Sequence, residues 1–126
     1  MKRLDLTNKI IERKRQLHIT VENLAKLSGV SVRTMNRVLK NEDVKLSTIE
    51  SITNFLGLDF AGNEQLSLTA LKKRRAHEKA LFLASVVQGT SALEMQGLED
   101  ESLKKIITSY EKAFLSGDFQ DTLWVA

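Results

Sequence analysis

The stretch Thr20-Val21-Glu22-Asn23-Leu24-Ala25-Lys26-Leu27-Ser28-Gly29-Val30-Ser31-Val32-Arg33-Thr34-Met35-Asn36-Arg37-Val38-Leu39-Lys40 decides how this chain folds. It holds two short helical patterns joined at Ser28-Gly29-Val30-Ser31. Thr20 opens the first, because its hydroxyl can take an unpaired backbone N–H. Leu24, Ala25 and Leu27 face inward, and Gly29 ends the helix in the left-handed conformation that glycine tolerates. Ser31 opens the second, where Met35, Val38 and Leu39 have the i, i+3, i+4 spacing of a buried face. Ala25 is small where the second helix must approach, and Val30 plugs the turn. Arg33, Asn36, Arg37 and Lys40 lie opposite the buried face. Two helices joined in this way form a helix-turn-helix, whose second helix can enter a DNA major groove.

Outward from this stretch, helical signals continue and strand signals are nearly absent. Upstream, Leu6, Ile10, Ile11 and Leu17 predict a helix from about Thr7 to Leu17. Arg13-Lys14-Arg15 fall on its solvated side, with DNA-backbone contact as the alternative. Downstream, Asn41-Glu42-Asp43 reads as a loop. Ser47-Thr48-Ile49-Glu50 reads as a capping box opening a fourth helix, which carries Ile49, Ile52 and Leu56 and closes at Gly57. Ala61-Gly62-Asn63 is the most linker-like point, which places a DNA-binding domain at 1–62 and a helical module at 63–126. In that module a long helix is expected over Leu68–Gln88, with Ala76, Ala80, Leu83 and Val87 as its inner stripe, widened by Phe82 and Val86. A short helix is expected from Thr90 to Gln96, and a last one over about Glu99–Ser116 with Leu103, Ile106, Ile107, Tyr110 and Phe114 in helical phase. Lys72-Lys73-Arg74-Arg75 reads as a solvated run. The fold class is all-α.

Composition narrows the function. The 126 residues include no Cys, which removes disulfides, thiolate metal sites and a cysteine nucleophile. His18 and His77 lie far apart, so no metal site is expected. No nucleophile–base arrangement or glycine-rich phosphate loop is present, so neither an enzyme nor a cofactor is expected. No apolar run approaches the roughly 20 residues of a membrane span, and the start lacks the apolar core of a signal peptide. The expected location is the cytoplasm. The net charge of +3 is unevenly placed: residues 1–60 carry 11 Lys and Arg against 7 Asp and Glu, and residues 61–126 carry 8 against 9. A basic half joined to a slightly acidic half suggests a polyanion-binding part and a part with another task.

Residues 7–58 resemble the Xre/Cro-like (lambda-repressor-like) helix-turn-helix repressors. The likeness runs through Thr20, Leu24-Ala25, Ser28-Gly29-Val30-Ser31 and Met35-Asn36-Arg37-Val38-Leu39-Lys40. It continues in Leu46-Ser47-Thr48-Ile49, Ile52 and Leu56-Gly57. It implies a recognition helix whose Val32, Arg33, Asn36 and Arg37 face base edges. Arginine suits guanine, asparagine suits adenine, and an apolar side chain suits the thymine methyl. Thr20, Ser31, Thr34 and Lys40 would then hold phosphates and set register. Val21 departs from the family pattern, in which the first residue of the second helix is often polar. Such repressors usually act as dimers on two half-sites, so a homodimer on double-stranded DNA is expected.

The segment Val87-Gln88-Gly89-Thr90-Ser91-Ala92-Leu93-Glu94-Met95 resembles the small antitoxins that inhibit Fic-domain AMP-transferases. Thr90 and Glu94 match their motif and Met95 does not. That resemblance implies a toxin protein as partner, with Glu94 pairing an arginine of the toxin. The residues themselves allow a plainer role, Thr90 capping a helix and Glu94 its exposed acid. Trp124, the only tryptophan, sits in a polar tail and fits either a partner pocket or its own module. The combined expectation is an autoregulating antitoxin; the alternative is a stand-alone Xre-like regulator with a dimerisation module.

Overall fold

The computed structural model describes residues 2–89, 91, 94 and 100–125. Six α-helices lie among them: α1 Arg3–Leu17, α2 Val21–Ser28, α3 Val32–Leu39, α4 Leu46–Phe55, α5 Leu68–Gln88 and α6 Glu101–Ser116, followed by a 3₁₀ turn at Gln120–Thr122. The chain divides into two compact units, 1–71 with 124–126, and 72–123.

The first unit is built by helix stops as much as by helix starts. Four successive helices end on a residue with positive φ: His18 at 55°, Gly29 at 74°, Asn41 at 61° and Gly57 at 69°. At each stop the next amide reaches back to the carbonyl five residues earlier: Ile19 to Lys14, Val30 to Ala25, Glu42 to Arg37 and Leu58 to Thr53. These are Schellman turns, which satisfy carbonyls the helix leaves unpaired and reverse the chain in few residues. Short helices with tight turns let α2 pack on α3 and α4, and α1 on α3. Ile10, Leu24, Met35, Val38, Ile52 and Leu56 form the solvent-free centre.

Sequence expectations hold for α2 and α3, where the Thr20 and Ser31 hydroxyls accept from the amides of Asn23 and Thr34. Three expectations are corrected. The first helix starts at Arg3, a turn before Thr7, and Ile11 is exposed. The capping box at Ser47 does not form: α4 begins at Leu46, Lys45 precedes it, and no side chain caps it. Arg13 is buried, not solvated. Its Nε donates to Leu56 O at 3.0 Å, Nη1 to Glu64 Oε1 at 3.2 Å, and Nη2 to Leu66 O.

The linker-like Ala61-Gly62-Asn63 is a pinned turn inside the first unit. Asp59 accepts from the amides of Ala61 at 2.9 Å and Asn63 at 2.8 Å. Leu58 bridges to Glu64, and the Gln65 amide returns to Gly57 O. These bonds, first that from the Asn63 amide, hold the Asp59 carboxyl below its ordinary pKa. A carboxyl depressed in the folded state stabilises above its unfolded pKa, and that contribution is lost as pH falls through the folded value. Melting of wild type and Asp59→Asn should therefore differ most near neutrality and converge at acid pH. A gap that stays constant into acid removes this role.

In the second unit, α5 and α6 meet through Ala80, Leu81, Ala84, Leu103 and Ile107, with Tyr110 alongside. Alanines on α5 allow the close approach. The inner stripe expected on α5 is corrected in part: Ala76 and Ala80 are buried, but Val87, Phe82 and Val86 are 61–65 % exposed. Leu81 and Ala84 take the inward positions instead, with Leu83 half-buried. Asp100 caps α6 through the amides of Ser102 and Leu103. Arg75, in the run expected to be solvated, is half-buried and donates to Leu123 O at 2.9 Å.

Candidate nucleic-acid interface

Among the described helices α3 is the most sharply divided. Met35 and Val38 are fully buried, while Val32, Arg33, Asn36 and Arg37 are exposed. At positions i, i+1, i+4 and i+5 these four share one face. Lys40 extends the same strip by a turn and is exposed. The strip carries three cations and no acid. Arg33 makes no ion pair among the described residues. Arg37 is held: its Nη2 donates to Asp43 O at 2.6 Å.

The residues expected at phosphates occupy helix entrances. Thr20 and Ser31 precede α2 and α3, where unpaired backbone N–H groups favour anions. Their hydroxyls already serve as caps. Ser31 Oγ also donates to Thr34 Oγ1 at 2.9 Å, and Thr34 is half-buried. Ser31, Thr20 and Lys40 are exposed.

The arrangement is a basic, asparagine-bearing face on the second of two helices joined by a Schellman turn. Residues 9–61 match the family model described as the Cro/C1-type HTH DNA-binding domain. The likeness covers this segment and not the rest of the chain. Comparison of the chain with curated proteins and with solved structures returned no match. Among the described residues no helix is long and apolar enough to cross a membrane.

Thr90 lies outside the described residues. Glu94 is exposed, and its amide donates to Ser91 Oγ at 3.2 Å. Trp124 is corrected as a partner hot spot. It is 8 % exposed within the first unit, its Nε1–H donates to Leu17 O at 3.0 Å, and its ring meets Phe55 edge-on at 5.9 Å.

A further group of side chains, not singled out by the sequence, surrounds the end of α3. Arg3 Nε donates to Thr7 Oγ1 at 3.2 Å, and Thr7 Oγ1 donates to Asn41 Oδ1 at 3.0 Å. Arg3 Nη1 also donates to Glu42 O at 3.2 Å. A signal for Asn41 existed, since asparagine is the residue after glycine that best tolerates left-handed backbone. Arg13 had one as well: position 13 is in helical phase with Leu6, Ile10 and Leu17.

Proposed function

We propose that this protein is a sequence-specific transcriptional repressor that binds its operator as a homodimer. The observation that carries the reading is the α3 face inside a Cro/C1-type domain. Val32, Arg33, Asn36 and Arg37 face base edges, and Thr20, Ser31, Thr34 and Lys40 flank the phosphates. The basic excess is modest, so specificity rests on these side chains and on the spacing of two half-sites. Arg33→Ala should weaken operator binding by about 1–3 kcal/mol and relax preference at one base pair per half-site. Titration of labelled duplexes at fixed salt measures this. Wild-type affinity and preference in Arg33→Ala would remove Arg33 from the reading.

The second unit supplies association. Its exposed Phe82, Val86 and Val87 lie in a stretch, residues 80–89, with no charged side chain, and exposed apolar clusters of this kind mark protein contacts. The antitoxin role extends this reading: the unit binds the toxin of its own operon, with Glu94 exposed for that contact. Its support is the two-unit layout and the exposure of Glu94. Purification from the host tests it. A stoichiometric second protein supports the antitoxin, and a homodimer alone supports the stand-alone regulator.

A further inference from the structure

The recognition helix ends on a residue that does two jobs. Asn41 has φ 61° and sits at the left-handed position of the Schellman turn closing α3. Glycine would serve the backbone there as well or better. Asparagine adds a side-chain carbonyl, and that carbonyl receives the Thr7 hydroxyl from α1. Thr7 is 1 % exposed, so its hydroxyl is committed to this link: it takes a hydrogen bond from Arg3 and gives one to Asn41. One residue further, the Arg3 guanidinium also holds Glu42 O. After one more residue, Asp43 O receives Arg37 Nη2 at 2.6 Å.

Three consecutive residues, 41, 42 and 43, are thus fastened on both sides. Arg3 and Thr7 fasten Asn41 and Glu42 to α1, and Asp43 fastens the guanidinium of the recognition helix. All three residues of loop 41–43 are exposed; the Asn41 and Glu42 amides return to Val38 O and Arg37 O in the Schellman turn, and the side-chain bonds from Arg3 and Thr7 tie that turn to α1. A guanidinium reads guanine bidentately only when its plane is set, and an exposed arginine otherwise samples many rotamers.

We propose that Arg3 and Thr7 are positioning residues for base reading by Arg37, acting through loop 41–43. Arg3 and Thr7 fix Asn41 and Glu42; these fix Asp43 O; Asp43 O holds one edge of the Arg37 guanidinium and leaves its other N–H groups for a base. Arg33, four residues earlier on the same face, has no such support and is set by α3 alone. This inference rests on the base-reading role given above to Arg37.

The test uses the full-length chain and a pool of duplexes randomised over about 20 base pairs, enough for two half-sites one turn apart. Selection is carried out at one salt concentration for wild type, Arg37→Ala, Thr7→Val, Thr7→Ser and Asn41→Gly. Arg37→Ala should erase preference at one base pair of each half-site. Thr7→Val should reduce preference at that same pair by about threefold or more, within the range of one bidentate contact. The other pairs should keep theirs. Thr7→Ser should restore it. Asn41→Gly keeps the left-handed stop and removes only the side-chain link, so it should reproduce Thr7→Val in a chain that folds normally.

Other outcomes overturn the proposal in distinguishable ways. An Arg37→Ala profile equal to wild type removes Arg37 as a base reader, and the positioning role goes with it. If Arg37→Ala erases one preference but Thr7→Val and Asn41→Gly leave it intact, the positioning role alone is wrong. An even loss across all pairs in Thr7→Val and Asn41→Gly shows a purely structural link. Failure of wild type to enrich any duplex removes sequence reading altogether.

Discussion

Replacing Trp124 by Ala is expected to destabilise the first unit by about 3–5 kcal/mol, the range for deleting a buried aromatic side chain. Two losses combine. The indole leaves a cavity beside Phe55, whose ring it meets at 78°. The Leu17 carbonyl, at the end of α1, loses its donor. Unpaired carbonyls at a helix end are costly when buried. Trp124→Phe separates the two: the ring contact is largely kept, the hydrogen bond is not, and the loss should be about 1–2 kcal/mol. Because Trp124 is the only tryptophan, its emission in the wild type reports directly on the first unit. Urea unfolding followed by that emission, and by circular dichroism in the variants, measures both values. Unchanged stability in Trp124→Ala would mean that the chain end contributes nothing to the DNA-binding domain.

Arg13→Met is expected to cost about 3 kcal/mol, because it keeps the stem and removes the donors of a buried group. Arg13 is 7 % exposed and serves two backbone carbonyls, Leu56 O and Leu66 O, as well as Glu64. Glu64 is 53 % exposed, so its share is small. The carbonyls matter more: Leu56 O lies at the end of α4, and Leu66 O at the end of the turn leading to α5. For a domain this small, the loss corresponds to a fall in Tm of more than about 10 °C. Glu64→Gln should move it far less. Equal melting of the two variants would show that the ion pair, and not the carbonyl bonds, is what Arg13 supplies. Operator binding by Arg13→Met should survive at low temperature, since Arg13 faces the core rather than DNA.

Arg13 shows how far a one-dimensional reading extends. Charge placed it on the solvated face with Lys14 and Arg15; helical phase placed it with Leu6, Ile10 and Leu17. Phase prevailed, because the carbonyls of Leu56 and Leu66, distant in sequence, offer a buried guanidinium acceptors. The same contest was settled the other way on α5. There Phe82, Val86 and Val87 are apolar yet exposed, while the smaller Ala80 and Ala84 are buried, because close approach to α6 selects for size.

The helix-turn-helix is legible in the residues alone: two capped helices, a glycine stop and a face divided at residues 32–40. Local chemistry suffices for that, since caps, left-handed stops and helical periodicity all act within a few residues. Packing in three dimensions is what places Trp124 in the first unit, makes the linker-like 61–63 a pinned turn, and brings Arg3 and Thr7 to the end of α3. The first and third depend on hydrogen bonds between residues far apart in the chain, Trp124 to Leu17 and Thr7 to Asn41; the turn depends on the Asp59 carboxylate closing over Ala61 and Asn63. Which distant carbonyl a buried donor meets is fixed by packing, and no local pattern encodes it.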